Sequence, residues 1–155
     1  MAHPIPEGFH NLTPYLIVPD SDEAIRFYRQ AFGAVELLRL TTPSGGIGHA
    51  ELQIGDSQLM LCDENPEWES KSPGTLGGTP VSLLLYVIDV DKTLAQALAA
   101  GATLLRPVQD QFYGDRTGTL KDPFGHQWTI ATHQEDLSEQ ELQRRMDAFF
   151  SQDAG

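Results

Sequence analysis

The sequence has a single cysteine, Cys62, among its 155 residues. One cysteine excludes an intrachain disulfide, and it excludes zinc and iron–sulfur sites built from several cysteines. A chain that folds without disulfides suits a reducing compartment, so we expect the protein to be cytoplasmic. Because a free cysteine usually behaves as a small apolar side chain, Cys62 is predicted to be buried.

Basic residues and long apolar runs are also scarce. The chain has 10 Lys and Arg against 22 Asp and Glu, which gives a formal net charge of −12. Nucleic-acid binding depends on a basic face, so no nucleic-acid partner is expected. The longest apolar stretch, Val81–Ile88, is interrupted by Ser82 and is too short to span a bilayer. No membrane association is therefore predicted.

What the chain does contain is one pattern that occurs twice. A strand, a helix and three further strands are predicted over residues 9–62, and the same order returns over residues 81–136. Matching positions lie 69 residues apart, and they include Val18 and Val87, Asp20 and Asp89, and Ile25 and Leu94. Two copies of such a module must pack together to bury their sheets, which predicts an α+β fold.

The remaining segments have distinct compositions. Residues 63–80 are rich in Pro, Gly and Ser, as linkers are, and residues 137–150 are predicted to form a C-terminal helix. The first strand is predicted over Leu12–Val18. The strand that begins at Thr103 is expected to stop before Pro107, because proline cannot donate a backbone hydrogen bond.

A hairpin dominates the last third of the chain. The segment Asp122-Pro-Phe-Gly has the residue preferences of a type I turn. In the strand that follows, side chains alternate between two faces, with Trp128 and Ile130 on one of them. The side chains predicted for the other face are Thr129, Ala131 and His133.

The duplicated module, its Val-x-Asp-x-Asp helix starts and the Asp122-Pro-Phe-Gly-His turn resemble the vicinal oxygen chelate superfamily, the glyoxalase and bleomycin-resistance fold. The segments that begin at Tyr113, Asp122 and Ile130 are similar to the PhnB-like group within it. The resemblance covers about residues 10–145. It implies two curled mixed sheets around a cleft, and a homodimer.

The resemblance also implies four metal ligands, two from each module. The positions that correspond to them hold Thr13, Met60, Ser82 and Thr129. None of these is an imidazole, carboxylate or thiolate, the groups that hold divalent ions in proteins. We therefore predict no divalent metal and no other cofactor. An alternative, rearranged metal site would use His49, Glu51 and His133.

Side chains that alternate with these positions share the face of the cleft. The candidate ligand-binding residues on the strands are Thr13, Tyr15, Met60, Ser82, Leu84, Tyr86, Thr129 and His133. Tyr113 and Arg116 are placed in a loop at the mouth of the cleft, where Arg116 would recognise an anionic group. Alternatively, Arg116 and Asp115 form a surface ion pair.

The predicted cleft face is mostly apolar and aromatic, with a few hydroxyls and one imidazole. This chemistry is typical of a pocket that binds a small organic molecule. Two alternatives stay open. One is a metal-dependent lyase, isomerase or dioxygenase that uses the rearranged metal site. The other is a non-catalytic interaction subunit whose cleft is filled by its own side chains.

Overall fold

The computed structural model describes residues 2–153, and it contains two four-stranded mixed sheets. The elements of the first half are β1 (Tyr15–Val18), α1 (Ser21–Phe32), β2 (Val35–Thr41), β3 (Ile47–Ile54) and β4 (Ser57–Asp63). The order across the sheet is β1-β4-β3-β2, with β1 parallel to β4 and the other neighbours antiparallel.

The second half repeats this arrangement. Its elements are β5 (Ser82–Tyr86), α3 (Val90–Ala100), β6 (Thr103–Asp110), β7 (Asp115–Lys121) and β8 (Gln127–His133). The sheet order is β5-β8-β7-β6, with β5 parallel to β8. A 3-10 turn (Pro66–Trp68) and a short helix, α2 (Pro73–Leu76), lie in the connection between the halves, and α4 (Glu139–Asp153) follows the second sheet. The predicted α+β fold is confirmed.

The repeat extends to the hydrogen bonds that begin each helix. The side chains of Asp20 and Asp89 accept from the backbone N–H three residues further on, and so cap α1 and α3. A second contact comes from the end of the last strand. Asp63 accepts from Ser21 N at 2.7 Å, and Thr132 accepts from Val90 N at 2.9 Å. Each helix is therefore fixed to its own sheet in the same way, although the two side chains differ.

The two modules share one apolar core, in which α1 contacts α3. The Asp122 turn joins them. Asp122 is 2% exposed, and its Oδ2 accepts from Tyr28 Oη at 2.5 Å and from Trp128 Nε1 at 3.0 Å. Its Oδ1 accepts from the backbone N–H groups of Phe124 and His126. The turn predicted from the sequence therefore carries a buried polar contact between the modules.

Several boundaries differ from those predicted. β1 begins at Tyr15 rather than Leu12, because Leu12 lies exposed ahead of the sheet. β6 continues through Pro107 to Asp110. It is an edge strand whose register is irregular between Arg106 and Gln109, and a proline without an N–H is tolerated there.

The helices within residues 2–153 include none with the length and apolar character needed to cross a membrane. The longest is the C-terminal helix α4. It begins with a hydrogen bond from Glu141 N to Ser138 Oγ at 3.1 Å, an N-cap contact. Arg145 then fixes α4 to the second module by donating to the carbonyl of Phe112 at 3.0 Å.

Candidate functional site

Each sheet packs one face on the helices and leaves the other face, called the open face below, only partly exposed to solvent. In the first sheet the register aligns Tyr15 with Met60, and Met60 with Glu51. Since side chains alternate along a strand, His49 and Cys62 belong to the same face. Tyr15 is 47% exposed, whereas Cys62 is buried as predicted. The open face of the first sheet therefore combines apolar, aromatic and ionisable groups.

A chain of hydrogen bonds crosses this face. Tyr15 Oη lies 2.9 Å from His49 Nδ1, and His49 Nε2 lies 2.8 Å from Glu51 Oε2. Burial, with the neighbouring Cys62 and Glu51, raises the pKa of Tyr15 to about 12. The phenol therefore stays protonated, and its O–H donates a hydrogen bond to Nδ1 of His49. The Nε2–H of His49 then donates a hydrogen bond to the carboxylate of Glu51.

The open face of the second sheet has the same layout. Leu84 aligns with Thr129 and Tyr86 with Ala131, so the predicted alternation along β8 is confirmed. Leu84 is 52% exposed and Tyr86 is 60% exposed. Thr129 exchanges a hydrogen bond with Thr119 of β7 at 3.2 Å.

Asp115 lies on this face at the start of β7, although the sequence placed it in a loop, as an ion-pair partner of Arg116. It aligns with His133, and its Oδ1 lies 2.7 Å from His133 Nδ1. Its Oδ2 accepts from Tyr86 Oη at 2.9 Å. The hydrogen bond to Asp115, followed by burial, raises the pKa of Tyr86. The alternation of Asp115, Thr117 and Thr119 along β7 could have indicated this placement.

The residues at the four predicted metal positions do not form a metal site. Thr13 precedes β1 and donates a long hydrogen bond to the carbonyl of His10, while Met60 contributes a thioether. Ser82 and Thr129 offer neutral hydroxyls on the second sheet. Such donors do not compensate the dehydration of a divalent ion, so the usual metal of this fold does not fit this donor set.

The alternative metal site is also not assembled. His49 and Glu51 lie together on the first sheet, whereas His133 lies on the second. Within residues 2–153, no three His, Cys, Asp or Glu side chains are grouped as a metal site requires. The described part of a single chain therefore does not bring together the three residues of the alternative site.

Arg116 does not line the cleft. It aligns with Thr132, on the face of the second sheet that packs against α3. Its guanidinium donates to both carboxylate oxygens of Asp91, at 2.8 and 3.0 Å, and to Asp110 at 3.1 Å. The predicted partner, Asp115, points to the opposite face. Both predictions for Arg116 are corrected: it forms ion pairs, but with residues of α3 and β6.

Tyr113 and Trp68 lie outside the sheets. Tyr113 is in the loop before β7, partly exposed, and packs edge-on against Phe112. It is close enough to Tyr86 to contribute to the raised pKa of that phenol. Trp68 borders a groove of about 670 Å³ at the end of the first sheet, between the Thr42–Gly48 loop and the segment that follows Asp63.

The fold and these faces can be compared with known proteins. The family model of the Glyoxalase/Bleomycin resistance protein/Dioxygenase superfamily matches residues 8–130. The chain belongs to this superfamily. Mb0911c from Mycobacterium bovis is 44% identical over 138 residues, which cover 87% of this chain and 91% of that protein.

Solved structures agree with this assignment. TioX from Micromonospora sp. ML1 is similar with a TM-score of 0.65 and 30% identity, over 80% of this chain and 98% of TioX. The PhnB protein from Bacillus cereus has a TM-score of 0.62 and 19% identity, over 79% of this chain and 99% of that protein, and supports the fold alone. The resemblance to the glyoxalase and bleomycin-resistance superfamily is confirmed.

Proposed function

We propose that this superfamily member binds a small organic molecule against the open faces of its sheets, without a divalent metal. The observation that carries the proposal is the donor set at the four metal positions. Thr13, Met60, Ser82 and Thr129 supply hydroxyls and a thioether in place of imidazole and carboxylate. Without a metal, ligand affinity has to come from apolar contact and hydrogen bonds.

The open faces supply both. Tyr15, Leu84 and Tyr86 expose about half of their surface, which is unusual for large apolar side chains on a sheet. Each face also holds a fixed hydrogen-bonded chain, ending at Glu51 in the first sheet and at His133 in the second. Pockets for small molecules typically combine an apolar surface with a few well-positioned polar groups. This exposure also argues against a subunit whose cleft is filled by its own side chains.

A single chain leaves both faces open to solvent, whereas a ligand pocket usually covers about 70–90% of the ligand surface. We therefore propose that a second copy of the chain completes the site, as a homodimer. The edge strands β2 and β6 expose apolar side chains that a second copy would bury. These are Val35, Leu37, Leu38, Leu40, Leu104 and Leu105.

A screen of metabolites and antibiotics by thermal unfolding, in the presence of EDTA, tests this function. We expect some compounds to raise the melting temperature, because a ligand that binds only the folded state stabilises it. Leu84→Asp should abolish that stabilisation by placing a charge on the second face. The matched control is Leu76→Asp, since Leu76 is also an exposed leucine, at 64%, but lies on α2 rather than on either sheet.

The proposal fails if no compound stabilises the protein. It also fails if Leu84→Asp responds to the stabilising compounds as fully as Leu76→Asp does, because the ligand would then lie elsewhere.

A further inference from the structure

Asp115 is a buried carboxylate on the second face, where Thr117, Thr119 and Ala131 are buried as well. It is 6% exposed, although the partners of its two oxygens, Tyr86 and His133, both project toward solvent. Removing a carboxylate from water is costly unless hydrogen bonds replace the lost hydration. For Asp115 these hydrogen bonds come from the phenol of Tyr86 and the imidazole of His133, and neither side chain belongs to the apolar core. Asp115 therefore fixes the orientations of the Tyr86 phenol and the His133 imidazole, much as a carboxylate orients a metal-binding histidine.

The second ring nitrogen of His133 contacts another carboxylate. Nε2 lies 2.8 Å from Oδ1 of Asp136, whose side chain is fully exposed in the segment between β8 and α4. The hydrogen bonds to Asp115 and Asp136 raise the pKa of His133. Each ring nitrogen faces a carboxylate, and Nε2–H donates to Asp136 at the solvent boundary.

The surface beside this nitrogen is suited to an apolar group. On β5, Tyr86 is 60% exposed, and its Oη donates to the same Asp115 carboxylate that contacts His133. Ala131, which aligns with Tyr86 on β8, is fully buried, so the exposed apolar surface here is the phenol ring. A planar group could pack on that ring, with an attached carboxylate directed to the neighbouring imidazole.

We propose that Nε2–H of His133 is the carboxylate-binding point of this face, which the chain's own Asp136 occupies in the absence of ligand. The ligand class is a small organic acid with a planar apolar portion that packs against the exposed ring of Tyr86. This inference rests on the proposed function and specifies its chemistry. Binding exchanges one carboxylate for another, so Asp136 is an internal competitor.

The competition makes an unusual prediction: removing a hydrogen-bonding residue from the site should strengthen binding. Benzoate serves as the probe and benzamide as its neutral analogue. We expect Asp136→Ala to bind benzoate about twofold to fivefold more tightly than the unmodified protein, since an exposed ion pair contributes modestly. Asp147→Ala removes an equal charge from the exposed side of α4 and should leave benzoate affinity unchanged.

Two further variants test the role of the His133 ring and the role of Asp115, which orients that ring. His133→Gln should weaken benzoate binding about tenfold, because a charge-assisted hydrogen bond is lost. Asp115→Asn should also weaken benzoate binding, because the His133 ring would no longer be held in one orientation. Thermal unfolding confirms that each variant is folded. The 15N resonances of the His133 imidazole, followed by NMR during the titration, report the contact directly, and they should move with benzoate and not with benzamide.

Different results would overturn the inference. It fails if benzoate at millimolar concentration leaves the His133 resonances unmoved, or if Asp136→Ala binds benzoate no more tightly than Asp147→Ala. If neutral compounds from the thermal screen still bind the faces, only this inference fails. If no compound binds at all, the proposed function fails with it.

Discussion

At the scale of single residues, Asp122 is a buried carboxylate that accepts four hydrogen bonds. Its two carboxylate oxygens accept from Tyr28, Trp128 and two backbone N–H groups. Burial, reinforced by the Asp122 carboxylate, raises the pKa of Tyr28 well above its ordinary value, so that phenol stays a donor. Asp122→Ala would leave two buried side-chain donors without an acceptor. We expect a loss of about 3–4 kcal/mol in the free energy of unfolding.

Urea unfolding measures this loss. Asp122→Asn keeps one acceptor oxygen and should lose about half as much. Asp147→Ala, on the exposed face of α4, should change stability by less than about 0.5 kcal/mol. A loss of that small size in Asp122→Ala would contradict the bridging role of the turn.

His133 should make stability depend on pH. Its pKa is raised in the folded protein by Asp115 and Asp136, while Tyr86, with Tyr113 beside it, is the other titratable group at this end of the face. A raised pKa means that the folded state binds the proton more tightly than the unfolded state. The stabilisation is therefore complete below the unfolded-state pKa of about 6.5, and it disappears as the pH rises through the folded-state value.

Urea unfolding of the unmodified protein and of His133→Gln, from pH 5.5 to 9, measures this effect. The stability difference between the two proteins should shrink as the pH rises across that window. A difference that stays constant would show that the two carboxylates do not act on the ring.

The sequence predicted which residues of β8 share a face, but it did not predict their partners. Alternation within one strand is enough to group Thr129 with His133. Asp115 meets His133 only because β7 and β8 pair in one particular register. Arg116 was misassigned for the same reason, since the acidic residues that bind it come from α3 and β6.

At the scale of elements, side chains at the ends of β4 and β8 accept hydrogen bonds from the first residues of α1 and α3. Asp63 accepts from Ser21 N, and also from Ile47 N at 2.9 Å, so it fastens both α1 and β3 to the end of β4. Asp63→Ala should cost about 1–3 kcal/mol in the free energy of unfolding. Thr132→Val, the equivalent change in the second module, should cost about 1 kcal/mol, because it removes one neutral hydroxyl that accepts from Val90 N and donates to the carbonyl of Val87.

Chemical denaturation of the two variants compares these contacts. Asp56→Ala is the matched control, because Asp56 is an exposed acidic residue in the turn between β3 and β4. If Asp63→Ala is no less stable than Asp56→Ala, the contact does not hold the helix.

Most elements could be predicted, because strand alternation, helix caps and the duplicated pattern agree with one another. One boundary was wrong because a proline was taken as the end of a strand. Pro107 lies within the edge strand β6, where one side of the backbone has no partner strand. Whether a predicted strand lies at an edge depends on sheet order, which a local pattern does not contain.

At the scale of the whole molecule, we predict a homodimer in solution. Sedimentation equilibrium should give twice the chain mass of 17.1 kDa. Leu40→Asp combined with Leu104→Asp would place charges on the exposed faces of β2 and β6 and should shift the mass toward a single chain. Leu76→Asp should remain dimeric. A single-chain mass for the unmodified protein at micromolar concentration would contradict the prediction.

The central claim is that the protein binds an organic ligand without a metal. Isothermal titration calorimetry with the best compound from the thermal screen, in EDTA and then with added Ni²⁺, Zn²⁺ or Mn²⁺, tests it most directly. The account predicts the same Kd in all of these conditions, within about twofold, a change of about 0.4 kcal/mol. Binding that disappears in EDTA and returns with a divalent ion would contradict it.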